Sequence, residues 1–162
     1  MTKTPTQIEE VCGLLHDAVH EVFRTMLTIE PQAIPPGDLQ HSGESVVAGS
    51  VGFVGEVNGV VYILVTAPFA RVVASRMLDL PEEDFEGDDM VNDTIGELSN
   101  MVVGAVKSRL CDAGSPCTLT IPSVVRGQGF SVGAAGCPDR RLLGFQCDGE
   151  QVLLELLMKS AL

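Results

Sequence analysis

Residues 89–110, Asp89-Met-Val-Asn-Asp-Thr-Ile-Gly-Glu-Leu-Ser-Asn-Met-Val-Val-Gly-Ala-Val-Lys-Ser-Arg-Leu110, carry the reading on which the fold turns. At about 100° per residue, Val91, Ile95, Leu98, Val102, Val106 and Leu110 gather on one side. The stretch is therefore an amphipathic helix with a core stripe that another element must cover. Its opposite side collects Asp93, Glu97, Asn100, Gly104 and Ser108, a short polar face without the long Lys/Glu mixture that usually solvates a helix. Glu97 and Asn100, three residues apart, project side by side. Gly104 costs roughly 1 kcal/mol relative to alanine in a helix interior, so its place asks for a close approach by another backbone. Asp93, Glu97, Asn100, Met101, Gly104 and Ser108 are the candidate partner-facing set.

Working outward, the period before this helix changes twice. Thr6 to Thr28 repeats apolar residues at three- and four-residue steps, with Thr6 and Glu9 spaced as a capping box, while residues 1–5 read as flexible. Ile34-Pro-Pro-Gly-Asp38 is a linker or turn. Val46–Gly55 and Val60–Val65 are β-rich runs, and Asn58-Gly59 between them is a strong hairpin signal. Pro68 opens a helix over Phe69–Leu80, and residues 81–89 form an acidic loop. On the far side, Asp112-Ala-Gly114 stops the central helix, and Cys117–Pro122 and Phe130–Gly133 read as short strands. Leu142–Cys147 and Gln151–Met158 flank Asp148-Gly149 as a second hairpin. A helix thus precedes a hairpin twice, Gly52-Phe53 in the first echoing Gly144-Phe145 in the second. Two such halves predict an α+β fold, a mostly antiparallel sheet with helices packed on it. Residues 1–162 are expected to form one domain.

Composition narrows the partners. The apolar fraction of 45% suits a well-buried core. A net charge of −12 disfavours nucleic acid and anionic membrane, both polyanions, and suits a basic docking surface. Five cysteines, an odd number without Cys-x-x-Cys spacing, argue for reduced thiols rather than a disulfide framework or metal knuckle. No run reaches membrane-spanning length and the first residues lack an apolar leader core, so a cytoplasmic protein without membrane insertion is expected.

His16 and His20 share a helix face at the i, i+4 spacing of zinc proteases, but Asp17, one carbon shorter, replaces the general-base Glu and His41 follows no ligand motif. Ordinary surface histidines account for the pair, leaving a metal hydrolase as a subsidiary reading and no metal site expected. The glycines of residues 49–55 and 127–129 lack phosphate-loop spacing and fit strand bends. That leaves Glu97-x-x-Asn100. An asparagine amide has no proton equilibrium near neutrality, so it cannot serve as a general base. It can hold a water by donating one hydrogen bond and accepting another. Such positioning is useful in phosphoryl transfer when a partner supplies the charges, and the adjacent Glu97 would grip a cation on that partner.

Ile95-Gly-Glu-Leu-Ser-Asn-Met-Val-Val-Gly104 resembles the signature helix of the CheC/CheX/FliY chemotaxis phosphatases, most of all the CheX type with its single Glu-x-x-Asn. Val22–Leu27 is similar to the end of the family's first helix, Gly52-Phe-x-Gly55-x-x-x-Gly59 to its first hairpin, and Ile121–Gly127 to the segment after the signature helix. Ala105 departs from the asparagine that often follows the glycine at 104. The resemblance implies a CheC/CheX-like fold and a phosphatase acting on the aspartyl-phosphate of a CheY-like receiver. Asn100 would orient the attacking water and Glu97 would pair with the receiver's lysine. Magnesium would sit on the receiver, so the chain would need no cofactor of its own, and a homodimer is implied. The alternative is a receiver-binding interaction domain that uses the same helix without activating water.

Overall fold

The computed structural model describes residues 4–36, 45–128 and 139–160. The strand expected at Phe130–Gly133, together with His41 and Cys137, lies outside them. In chain order the elements are α1 (Thr4–Val22), β1 (Gln32–Ile34), β2 (Val46–Gly55), β3 (Val57–Thr66), α2 (Ala67–Leu78), α3 (Asp89–Asp112), β4 (Cys117–Leu119), β5 (Ser123–Gly127), β6 (Asp139–Cys147) and β7 (Glu150–Ser160). The α+β expectation holds, with a seven-stranded sheet in the order β1-β6-β7-β3-β2-β4 and β5 also on the edge of β2. Every pairing is antiparallel.

The two hairpins meet in the middle of the sheet, where β3 pairs with β7 from Val57↔Ser160 to Leu64↔Leu153. Strand alternation then sends Val47, Val51, Phe53, Val61, Ile63, Val65, Leu154 and Leu156 to the helix-covered face. Helix α1 lies against β6 and α3 against β2, with α1 and α3 touching each other. The helix-then-hairpin echo in the sequence is therefore a crossed arrangement in space.

Helix α3 has a wider buried arc than its sequence stripe. Val91, Ile95, Leu98, Val102 and Val106 are buried as expected, and Thr94, Gly96, Ser99 and Val103 join them. The two hydroxyls are tolerated because each donates to a carbonyl one turn back, Thr94 to Met90 and Ser99 to Ile95, both at 2.8 Å. On the sheet beneath, Gly49 leaves room for this contact. A Cβ there would run into Ser99 Oγ and lie 3.2 Å from both Ile95 Cγ2 and Ile95 O.

Several boundaries differ from the sequence expectation. Helix α1 starts at Thr4, so Thr6 is inside it rather than its cap, and residues 4 and 5 are helical. Pro5 is compatible with a first helical turn, which lets the helix begin earlier. Its end is a π-helical turn, Phe23–Leu27, closed by Thr28 in the left-handed region at φ 56°. Helix α2 begins at Ala67, capped by Thr66, whose Oγ1 accepts from Phe69 N at 3.3 Å, and ends before Asp79. Asn58-Gly59 is not the first hairpin's turn; both residues lie within β3. Phe53 pairs with Gly59, placing the reversal at residues 54–58, where Asn58 Oδ1 accepts from Gly55 N at 3.0 Å. Gly59 is small because the Phe53 ring lies across it; a Cβ would sit 2.5 Å from Phe53 Cζ. Asp148-Gly149 does make the second turn, with φ of 50° and 83°, the left-handed pair that a tight two-residue hairpin needs. Strands β1 and β5 were not apparent in the sequence, being short pieces defined by the edges they join.

Candidate functional site

The outward side of α3 meets the end of β5 in a groove of about 720 Å³. Asp89, Asn92, Asp93, Gly96, Glu97 and Asn100 line it from the helix, and Pro122 and Val124 from the facing chain. The facing wall exists because Pro122 interrupts the edge of β2. Strand β4 pairs with Phe53–Gly55, Thr120 exchanges hydrogen bonds with Gly52, and pairing resumes with β5 at Ser123. The break leaves Ile121 88% exposed beside the groove. At Gly96 the helix faces this wall across ordinary contact distance: a Cβ there would lie 3.4 Å from Val124 Cγ2 and 3.7 Å from Pro122 Cβ.

Glu97 is exposed and Asn100 half-buried. Neither makes a side-chain hydrogen bond or ion pair with the described residues, so both amide and carboxylate are open to a visitor. Their neighbour Asn92 is fixed instead: Arg126 Nε and Nη2 donate to Asn92 Oδ1 at 3.1 and 2.8 Å. Arg126 Nε also lies 3.6 Å from an Asp88 carboxylate oxygen. This ties the first turn of α3 to β5 and holds the groove's two walls in register.

Of the sequence-selected face, Asp93, Glu97 and Asn100 are brought together in the groove, whereas Gly104 and Ser108 continue along the helix beyond it. Met101 lies on the opposite flank of Glu97, in a second groove. The close backbone expected at Gly104 is not found among the described residues, where nothing lies within 4 Å of its Cβ position. Asn92, Pro122, Val124 and Arg126 were missed by sequence reasoning. Asn92 could have been found by carrying the Asn100 side of the stripe back two turns, through Gly96; the residues of the facing wall are distant in sequence and carry no such signal.

The groove's charge limits its chemistry. Among the described residues Asp89, Asp93 and Glu97 line it and no lysine or arginine does, so a bare phosphate anion would be repelled. His16 and His20 lie elsewhere on α1, stacked on each other at 4.6 Å between ring centroids, with His16 5.5 Å from the Phe145 ring. His20 Nδ1 is 3.7 Å from Glu30. Among the described residues no three His, Cys, Asp or Glu side chains come together as a metal site. The described cysteines 12, 111, 117 and 147 are all unpaired. Burial raises the thiol pKa of Cys12 and Cys117, and of Cys147 to about 12. No helix among the described residues is long and apolar enough to cross a membrane.

Among the described residues, a seven-stranded antiparallel sheet under three helices defines an α+β fold, with the unpartnered Glu97 carboxylate and Asn100 amide on the outer side of its central helix. The chain belongs to the chemotaxis phosphatase CheX family, whose model matches residues 47–139. The CheY-P phosphatase CheX of Thermotoga maritima is 28% identical over 128 residues, 78% of this chain and 81% of that protein. The fold is similar to chemotaxis protein CheX from Vibrio vulnificus, with a TM-score of 0.76 and 24% identity over 93% of this chain and 97% of that one. It is equally similar to the CheX–CheY–BeF3–Mg2+ complex from Borrelia burgdorferi, with a TM-score of 0.76 and 23% identity over 93% and 98%.

Proposed function

We propose that this chain hydrolyses the aspartyl-phosphate of a CheY-like receiver domain, with Asn100 orienting the attacking water and Glu97 binding the receiver's lysine. The observation that carries the reading is the open Glu97–Asn100 pair in a groove of acidic and neutral side chains. Such a groove cannot neutralise a phosphoryl group by itself. It becomes useful when the substrate arrives with its own cations, as a receiver's phosphorylation site does with its magnesium and lysine. The T. maritima relative's description as a CheY-P phosphatase and the Borrelia CheX–CheY complex support the same partner class. In this reading the metal belongs to the receiver, and no cofactor is assigned to this chain.

The chemistry asks little of the chain beyond placement. The Asn100 carboxamide accepts from one water proton through Oδ1 and donates through Nδ2, holding the water oxygen toward phosphorus. Water attacks in line with the departing aspartyl carboxylate oxygen, the P–O bond to aspartate breaks, and inorganic phosphate leaves. The Glu97 carboxylate forms a charge-assisted pair with the lysine ammonium, which fixes the approach of Asn100.

The test is phosphate decay from phosphorylated receiver domains encoded in the same genome, with and without the protein. Asn100→Ala should lower the stimulated rate by roughly 10²–10³-fold, the scale of a lost transition-state hydrogen-bonding group. Its thermal midpoint should not move, because the side chain makes no internal hydrogen bond. Glu97→Ala should weaken docking and rate together. Wild-type activity in Asn100→Ala would overturn the mechanism, and receiver binding without faster phosphate loss would assign the chain an interaction role instead.

A further inference from the structure

On the other flank of the Asp93–Glu97 ridge lies a second groove, of about 580 Å³, lined by Met26, Met77, Leu78, Met90 and Met101. It is assembled from three parts of the chain, with Met26 from the π-helical turn after α1, Met77 and Leu78 from the end of α2, and Met90 and Met101 from α3. Three of these side chains stand well into solvent: Met90 is 44% exposed, Leu78 40% and Met26 36%. Four of the chain's six methionines meet at this one groove. Asp93 and Glu97 line both grooves, so the apolar surface begins where the candidate site ends.

We propose that the methionine groove is the docking subsite for the same receiver, seating an apolar side chain that the receiver presents beside a lysine or arginine near its phosphorylation site. This rests on the reading of Glu97 and Asn100 given above. Size is the first argument. A stable protein–protein contact buries about 800 Å² on each partner, more than one helix-lined groove supplies. A receiver seated over Asn100 must therefore reach past the first groove, and the methionine groove adjoins it across the shared Asp93–Glu97 ridge. Charge is the second. The groove's rim carries Asp93 and Glu97, and the nearby loop after α2 exposes Glu83, Asp84, Glu86, Asp88 and Asp89. That loop is held in place by buried Phe85, with the Arg71 guanidinium 5.4 Å over its ring and Arg71 Nη2 donating to Glu82 O at 2.8 Å. A second copy of this chain, paired through the same face, would set acid against acid. A partner with basic residues around an apolar side chain matches it. Methionine is unbranched and polarizable, so the subsite can adapt to apolar side chains of different shape.

The experiment compares wild type with the triple variant Met26→Gln, Leu78→Gln, Met90→Gln, which changes exposed side chains to polar ones of similar length. Two quantities are measured: kinetics of phosphate release from a phosphorylated receiver, and calorimetric affinity for that receiver held with beryllium fluoride and magnesium. The triple variant should raise KM and Kd by at least about tenfold, the scale of losing buried apolar contact from three side chains, with a much smaller change in kcat. Asn100→Ala should show the opposite split. A KM and Kd within twofold of wild type in the folded triple variant would overturn the proposal. A loss of self-association by light scattering with unchanged receiver affinity would also overturn it and give the groove to a second copy. If wild type binds the receiver without hydrolysing it while the triple variant binds weakly, the docking subsite stands and the phosphatase reading falls.

Discussion

Gly49→Ala is the most direct probe of how α3 is held against the sheet. A methyl group at 49 would run into Ser99 Oγ and stand 3.2 Å from Ile95 Cγ2 and Ile95 O. Ser99 is fully buried and donates to Ile95 O, so its hydroxyl can move only by giving up that bond. Overpacking of this kind costs about 1–3 kcal/mol. Replacing glycine in a strand returns about 0.5–1 kcal/mol of conformational entropy; with the overpacking at the upper end, about 2–3 kcal/mol for so deep a clash, the net loss is about 1–2 kcal/mol. For a chain of this length that lowers the thermal midpoint by about 3–8 °C. Ser99→Ala alone should be nearly neutral, because Ile95 O keeps its helical partner. In the double variant the nearest obstacle is gone while the Ile95 contacts remain, so about 1 kcal/mol should be recovered, read as a coupling energy from urea unfolding followed by circular dichroism. Full stability in Gly49→Ala, or strict additivity with Ser99→Ala, would refute the claim that Gly49 sets the height of α3.

Two further outcomes follow from the same packing. Gly104→Ala meets nothing within 4 Å, so it should raise stability by about 1 kcal/mol, while Gly104→Leu should leave the fold intact and raise KM for the receiver; destabilisation by alanine would mean the position packs internally. Cys147 is fully buried, and desolvation, aided by the Asp148 carboxylate, pushes its thiol to about 12 from 9.0. The unfolded chain therefore loses this proton first as pH rises, so the contribution is intact below pH 9 and is lost between about pH 9 and 12, at up to about 1.4 kcal/mol per pH unit. Alkaline urea titrations should show that slope, and iodoacetamide at pH 8 should label exposed Cys111 well before Cys147; equal labelling rates in the folded protein would contradict the burial.

Helix α3 and the β6–β7 hairpin were legible because each is specified locally. Five apolar residues from Val91 to Val106 recur at helical steps, and Asp148-Gly149 adopts the left-handed pair that its composition favours. The first hairpin misled because Asn58 and Gly59 serve different ends from those of a two-residue turn. Asn58 caps the loop through its side chain, and Gly59 admits the ring of Phe53 from the neighbouring strand. That second demand is a cross-strand contact, which no local pattern reports. Strands β1 and β5 have three and five residues, and they exist as strands because β6 and β2 offer them edges. The same distinction runs through the site. Glu97 and Asn100 could be paired from their spacing alone, whereas the wall at Pro122 and Val124 depends on where the chain returns after α3. The methionine groove draws on three helical segments and is visible only once they are packed.

What the packed structure adds to the Glu-x-x-Asn spacing is a reason for its economy. The groove around Asn100 is acidic, with no lysine or arginine among its lining residues and no metal-holding cluster among the described residues. An amide in such a place has little catalytic power over a free phosphate ester, since the Arg126 guanidinium on the facing wall is already taken up by Asn92 and Asp88 rather than left to offset the charge that develops on the phosphoryl oxygens. The same amide becomes effective when a partner brings cations to those oxygens and lacks only an oriented water. On the proposed function, the acidic lining would act in two ways: it would repel stray anions and attract the basic rim of the partner. Selectivity for a protein-borne phosphoryl group would then follow from what this site omits as much as from the two side chains it presents.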